Sequence, residues 1–385
     1  MQSSSGGTSL DNSALVHKIT PITGGTTYSN TKATSSINSS HVTKREASTV
    51  KNATFCVQNI RESLRQQNIS EDIADILLSS WRQSTQQQYW TYFHKWMLFC
   101  ERKSINTFQA SVNNVLEFLL QLYNSGLGYS AVNTAKSCIS SVFEIINPET
   151  SLGSNSLIKK FMRGIFNKRP SLPRYACTWD VSLVLEYLKT LIPVNTISLR
   201  LLSWKLAMLI ALLTGQRCQS LHLIDIRNIF IYNVFVKIHF GDLLKQSKPG
   251  SHLQPIELVR YKQDERLCVV KTLQEYLGRT KSLRGEEIQL FVSTMTPHQK
   301  ISKQTISNWI RTVLENSGID VKMFKAHSTR TASMSAAKSA NVPITTILNV
   351  AGWKSDCTFR KFYNKPCSEE KVNVGNIILE NYSKS

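Results

Sequence analysis

The sequence predicts a mainly α protein with a small antiparallel β-sheet, divided between two folded domains. Apolar residues recur at helical spacing in two long blocks, and a proline-broken basic stretch near residue 170 separates them. One region, Ile229 to Val259, instead shows the period of two expected of strands. A chain of 385 residues with 41% hydrophobic content can build two or three domains with cores of ordinary size.

Residues 1–54 are rich in Ser, Thr, Asn and Gly, and Tyr28 is their only aromatic residue. Such a segment cannot bury enough apolar surface to offset its ordering entropy, so a disordered tail is expected. Residues 55–169 read as a helical bundle. Ile73, Ile76, Leu77 and Trp81 recur at helix spacing, and a long helix starting near Ser84 carries Tyr89, Trp90, Phe93, Trp96, Met97 and Cys100 as a wide apolar stripe. Val112 to Tyr123 and Ser130 to Ile146 follow, turned by Gly126-Leu-Gly128. Lys159, Lys160, Arg163, Lys168, Arg169 and Arg174 then crowd one stretch without an acidic residue, and Pro170 and Pro173 give it the character of an extended interdomain linker.

The second domain, residues 170–385, opens with helices over Asp180 to Leu188 and the very apolar Ser198 to Leu213. Ile229 to Tyr232 and Val234 to Phe240 alternate as strands around Asn233. Lys248-Pro-Gly-Ser reads as a hairpin tip, with Leu253 to Val259 returning. Leu267 to Leu277 and Thr305 to Leu314 are helical. Thr331 to Ala340 is a further helix, broken by Asn341-Val-Pro343, and Ile344 to Val350 stops at Gly352-Trp353. Ser355 or Asp356 then caps a short helix carrying Tyr363 and ending before Pro366, with a tail from about 367.

The net charge of +20 and pI near 9.7 point to a polyanionic partner, because such a field raises the encounter rate with nucleic acid. There is no run of eighteen apolar residues and no apolar leader segment, so neither a membrane span nor secretion is expected. Eight cysteines are scattered without a CxxC pair, which supports neither a metal site nor a disulfide framework.

The densest chemistry lies in His327-Ser-Thr-Arg330, then Gly352-Trp353, then Tyr363. Singly, each has an ordinary explanation as a cap, a core aromatic or a packing residue. Together, and with Thr214-Gly-Gln-Arg217 and Leu243-Leu-Lys245-Gln-Ser-Lys248-Pro-Gly250 upstream, their order and spacing resemble the tyrosine recombinases, the phage-integrase-like DNA strand-exchange enzymes. The phrasing is most similar to Crypton and DIRS-type recombinases of eukaryotic mobile elements. The resemblance covers roughly residues 70 to 366.

It implies a helical core-binding (SAM-like) domain over 55–169 and a tyrosine-recombinase catalytic domain over 170–385. It implies Tyr363 as nucleophile, Arg217 and Arg330 as a phosphate clamp, and His327 as proton acceptor or phosphate donor. Trp353 stands where relatives carry His or Trp. A lysine is the implied general acid. Lys245 and Lys248 both qualify, and Lys245 is favoured because the second basic position also tolerates Arg, which cannot give up a proton. Lys159, Lys160, Arg163, Lys168, Arg169 and Lys248 are the expected DNA contacts. No cofactor or metal is required. The expected partner is double-stranded DNA, bound by a homotetramer on two duplexes, and the DNA substrate places the protein in the nucleus.

Two departures stand out. Ser220 follows Arg217 by three residues, where bacterial relatives often carry an acid, and Trp353 to Tyr363 is one residue longer than in those enzymes. The rival readings are a domesticated, non-catalytic DNA-binding descendant, a helix-turn-helix regulator around Ala340 to Ala351, and a type IB topoisomerase. The first leaves the intact nucleophile unexplained, and the second leaves the Thr-Gly-x-Arg turn unexplained. The third fits the upstream helical domain less well.

Overall fold

The computed structural model describes residues 56–149, 151–171, 175–250, 252–367 and 379. The expected tail over 1–54, Pro173, Arg174 and the apolar residues Val372 to Ile378 lie outside them. The chain divides between Ser171 and Leu172 into two compact units.

The first unit is all helical: α1 (56–65), α2 (Glu71–Ser79), α3 (Gln83–Lys103), α4 (Val112–Asn124), α5 (Tyr129–Ile146) and α6 (Ser156–Lys168). Side-chain caps set several starts. Ser70 accepts from Ile73 N–H, and Ser111 and Asn114 form a reciprocal capping box at α4. The stripe on α3 becomes the core, where the fully buried Trp96 meets Phe99, Phe118 and Phe143 at ring separations of 5.6, 5.2 and 6.3 Å. Its indole N–H donates to the Thr107 carbonyl at 3.0 Å, so burying it leaves no donor unpaired.

The basic stretch departs from the expected extended linker. Lys159, Lys160, Arg163 and Lys168 lie on α6, a helix started by Asn155, and its buried face is Ile158, Met162 and Ile165. Pro170 follows only after the helix has ended.

The second unit contains α7 (Val181–Thr190), α8 (Leu199–Thr214), the short α9 (Cys218–His222), a sheet, α10 (Val269–Thr280), α11 (Lys303–Asn316), α12 (Ser328–Ser339), α13 (Ile344–Ala351) and α14 (Asp356–Phe362). Its three strands, β1 (Ile229–Ile231), β2 (Phe235–Ile238) and β3 (Ile256–Val259), pair antiparallel in that order, with Val236 opposite Ile231 and Leu258. Helix α8 is buried on all sides from Leu202 to Leu212, as its largely apolar sequence requires. Its one charged interior residue, Lys205, donates to the carbonyls of Leu188 (3.0 Å) and Leu191 (2.8 Å) at the end of α7, and burial lowers its pKa to about 8.

Three boundaries differ from expectation. The β2–β3 connection is a long loop over 239–255, so Lys245 and Lys248 sit outside the strands. Helix α12 begins at Ser328, three residues before the expected Thr331, which puts Arg330 in its first turn. Tyr363 caps the end of α14 and is not inside it.

Candidate active site

The site is built where α8, α12 and α13 end or begin. Gly215 closes α8 in the left-handed conformation (φ +57°), and a Cβ there would come within 2.7 Å of Met334 Cε. That turn delivers Arg217 as the N-cap of α9, half-buried, with Nη1 donating to Gln246 Oε1 at 3.0 Å.

Arg330 is 1% exposed. Its two Nη groups donate to the carbonyls of Gly215 and Ala351, at the C-terminal ends of α8 and α13. Both are carbonyls left unpaired by their helices, so the guanidinium knits two helix ends together. The Trp353 ring lies 4.1 Å from its Cζ and the Tyr363 ring 5.5 Å. Burial and the like charge of Arg217 lower its pKa to about 9, so it stays cationic at neutral pH.

A small separate core of Met334, Ile347, Ala351, Trp353 and Phe359 supports Tyr363, whose ring centroid is 4.4 Å from that of Trp353. The Tyr363 hydroxyl lies 3.4 Å from His327 Nε2, at the outer limit of a hydrogen bond. Behind it, Ser335 Oγ donates to the Tyr363 carbonyl at 2.6 Å and accepts from Lys365 N–H at 3.1 Å. Thr178 N–H donates to Pro366 O at 2.8 Å. The tyrosine is therefore held on both sides by its own chain.

Burial, then the positive charges of Arg217, Arg330 and Lys245, lower the pKa of His327 to about 4. The residue keeps an exposed edge beside those cations. The ring is therefore neutral above about pH 4 and can accept a proton throughout the physiological range. In an NMR titration the His327 ring signal should stay flat through about pH 6.5, where a free imidazole titrates. Removing one cation with Arg217→Met should move its midpoint upward. A wild-type midpoint near 6.5 contradicts this electrostatic account.

Lys245 is exposed, and its turn is tethered to the site through Gln246 and Arg217. Lys248 is exposed three residues later, beyond the buried Ser247. Three buried donors in this cluster, Arg330 Nε, Trp353 Nε1 and Gln246 Nε2, have no hydrogen-bond partner. Unpaired buried donors are costly and uncommon. The sequence named five of the six clustered side chains outright and held Lys245 open against Lys248. Gln246, Ser335 and Gly215 O carried no signal that would have marked them.

Among the expected DNA contacts, Lys159 and Arg163 line a cavity of about 440 Å³ on the first unit, with Tyr129, Asn133, Lys136 and Phe166. Lys160 and Lys168 are exposed elsewhere on α6. Arg169 differs from expectation. It is half-buried, donates to the carbonyls of Tyr123 (3.2 Å) and Leu127 (2.8 Å), and stacks 4.1 Å from the Tyr123 ring. Those contacts make it a structural residue of the bundle.

No significant match is found among curated protein sequences. Solved structures do match. XerH site-specific recombinase, bound to palindromic difH substrate in a post-cleavage complex, is 16% identical with a TM-score of 0.51, covering 77% of this chain and 78% of that one. The Tn1549 transposon integrase in complex with transposon right end DNA is 11% identical with a TM-score of 0.51, covering 85% of this chain and 99% of that one. At such identities the likeness speaks for the fold. The profile described as "Phage integrase family" matches residues 183–369, a span that contains Arg217, Lys245, His327, Arg330, Trp353 and Tyr363. Over that span the second unit is thus similar to the phage integrase family.

Proposed function

We propose that the protein is a site-specific DNA recombinase that cuts and rejoins strands through a 3′-phosphotyrosyl intermediate. The reading rests above all on one juxtaposition: the Tyr363 hydroxyl is 3.4 Å from a histidine kept neutral by burial and by three neighbouring cations. Tyr363 Oη forms the new bond to phosphorus and its proton passes to His327 Nε2. The P–O5′ bond breaks, and Lys245 gives the leaving oxygen its proton. Arg217 and Arg330 carry the charge that builds on the phosphorane, each such contribution being typically worth about 3–4 kcal/mol. Two guanidiniums thereby do the work of an electrophile, and the chemistry needs no metal. Reversal by a 5′ hydroxyl from another strand reseals the backbone without an external energy source. Double-stranded DNA is the partner, four copies acting on two duplexes. Affinity with Crypton and DIRS-type elements and a nuclear site of action belong to the same proposal.

The experiment is covalent trapping. Duplexes selected from a random-sequence pool by binding to the full chain are nicked beside each phosphate in turn, so that the cut fragment diffuses away. A denaturant-resistant protein–DNA adduct is expected at one position. Its absence at every position, on duplexes that the protein binds, overturns the reading.

The basic helix α6 is proposed to touch phosphates through Lys159, Lys160, Arg163 and Lys168, none of which forms an ion pair among the described residues. Changing these four to Gln should lower affinity for any duplex and reduce the log–log salt slope by roughly 0.9 for each phosphate no longer neutralised. Arg169→Gln should instead lower thermal stability with little effect on the slope. An unchanged slope in the fourfold variant means the run is only a solvated face.

A further inference from the structure

We propose that Gln246 is a positioning residue, which latches the Lys245 turn onto Arg217 and orients that guanidinium without neutralising it. The inference rests on the strand-cleavage reading above and extends it to a residue outside the recurrent set.

The turn itself is built to present two neighbouring side chains differently. Leu244 is fully buried and Ser247 nearly so. Leu244 N–H donates to Ser247 Oγ at 3.0 Å, and Ser247 N–H returns a bond to Leu244 O at 3.0 Å. Ser247 Oγ also meets His252 Nδ1 at 2.9 Å, and His252 Nε2 meets Phe240 O at 2.9 Å. With both ends of the turn anchored, Lys245 is left exposed while Gln246 is half-buried.

The amide orientation is settled by its partner. Arginine can only donate, so the atom facing Arg217 Nη1 at 3.0 Å must be the Gln246 oxygen. The nitrogen end is buried, unpaired, and pressed toward Gly352, where an added Cβ would stand 2.9 Å from Gln246 Nε2. Gly352 adopts φ +67°, so the backbone that permits this close approach also disfavours any side chain there. The turn carrying the lysine is thus pinned between Arg217 and the end of α13.

The chemical logic lies in the choice of an amide. A carboxylate in this place would form a charge-assisted bidentate pair with Arg217 and compete with the scissile phosphate for the same fork. An amide oxygen fixes the direction of one N–H and leaves the full positive charge for substrate. No carboxylate pairs with Arg217 among the described residues, and the nearby Ser220 is buried and neutral.

Two variants of similar size separate the two parts of the role. Gln246→Met removes the acceptor and should release the lysine turn. Single-turnover cleavage of the trapped duplex should fall by up to about 10²-fold, the cost of a small misplacement. A substrate with sulfur in place of the leaving 5′ oxygen should recover part of that loss, because a thiolate needs almost no protonation. Gln246→Glu keeps the latch but cancels charge, so it should slow oxygen and sulfur substrates alike. Wild-type rates in Gln246→Met, or an equal loss on both substrates, overturn the proposal.

Hydrogen–deuterium exchange gives a reading that needs no cleavage. In Gln246→Met, amide exchange over residues 243–250 should rise while α8 and α12 stay protected. Unchanged exchange in that turn sinks the latch. If wild type binds duplexes yet never forms an adduct, strand cleavage is what has failed, and the exchange result still judges Gln246.

Discussion

Tyr363→Phe should abolish covalent protein–DNA adducts while leaving duplex affinity within about 0.5 kcal/mol of wild type, the usual range for a substitution that disturbs no packing. The prediction separates chemistry from architecture because the hydroxyl carries little of the fold. Its contact with His327 is long, at 3.4 Å, whereas the ring is held by Trp353 and its backbone by Ser335. Phenylalanine keeps the ring and both supports. An adduct that persists in the variant assigns the nucleophile to another residue and undoes the site assignment. Adducts of wild type should also form in EDTA, because Arg217 and Arg330 are proposed to stabilise the charge that a metal would otherwise meet. Loss of cleavage on chelation would contradict that division of labour.

What the sequence made legible follows from what each feature depends on. Arg217, His327, Arg330 and Tyr363 could be singled out because the chemistry proposed for them depends on residue type and order. Trp353 could be found too, but its observed duty is partly packing: it covers Arg330 and backs Tyr363. The start of α12 lies at Ser328 and Thr329, ahead of the helix expected from Thr331. Both are buried in the first turn, where Trp179 Nε1 donates to Ser328 Oγ at 2.9 Å. In α6 the density of charge masked a regular apolar stripe of Ile158, Met162 and Ile165. Arg169 looked like its basic neighbours, and only the carbonyls of Tyr123 and Leu127, more than forty positions away, distinguish it. Gln246 was beyond reach for the same reason: an amide in a polar loop acquires meaning only when Arg217 and Gly352 are brought against it.

The two lysines of the β2–β3 loop are separable by the identity of the leaving atom. General acid catalysis matters here because a 5′ alkoxide is a poor leaving group, and supplying its proton is typically worth about 10²–10⁴-fold. Lys245→Ala should therefore cleave the ordinary substrate more slowly by that factor, yet cleave a 5′-bridging phosphorothiolate at nearly the wild-type rate. Lys248→Ala should show a smaller loss that sulfur does not repair, as befits a side chain that touches phosphate without moving a proton. The local structure favours this assignment, since the Lys245 charge reaches His327 and its neighbour Gln246 bonds Arg217, while Lys248 follows the buried Ser247. The opposite pattern would transfer the acid to Lys248 and require the turn between Leu244 and Ser247 to reopen when DNA binds. If sulfur repairs neither variant, neither lysine protonates the leaving oxygen, and the proton must come from another group of the site, with His327 the first to test.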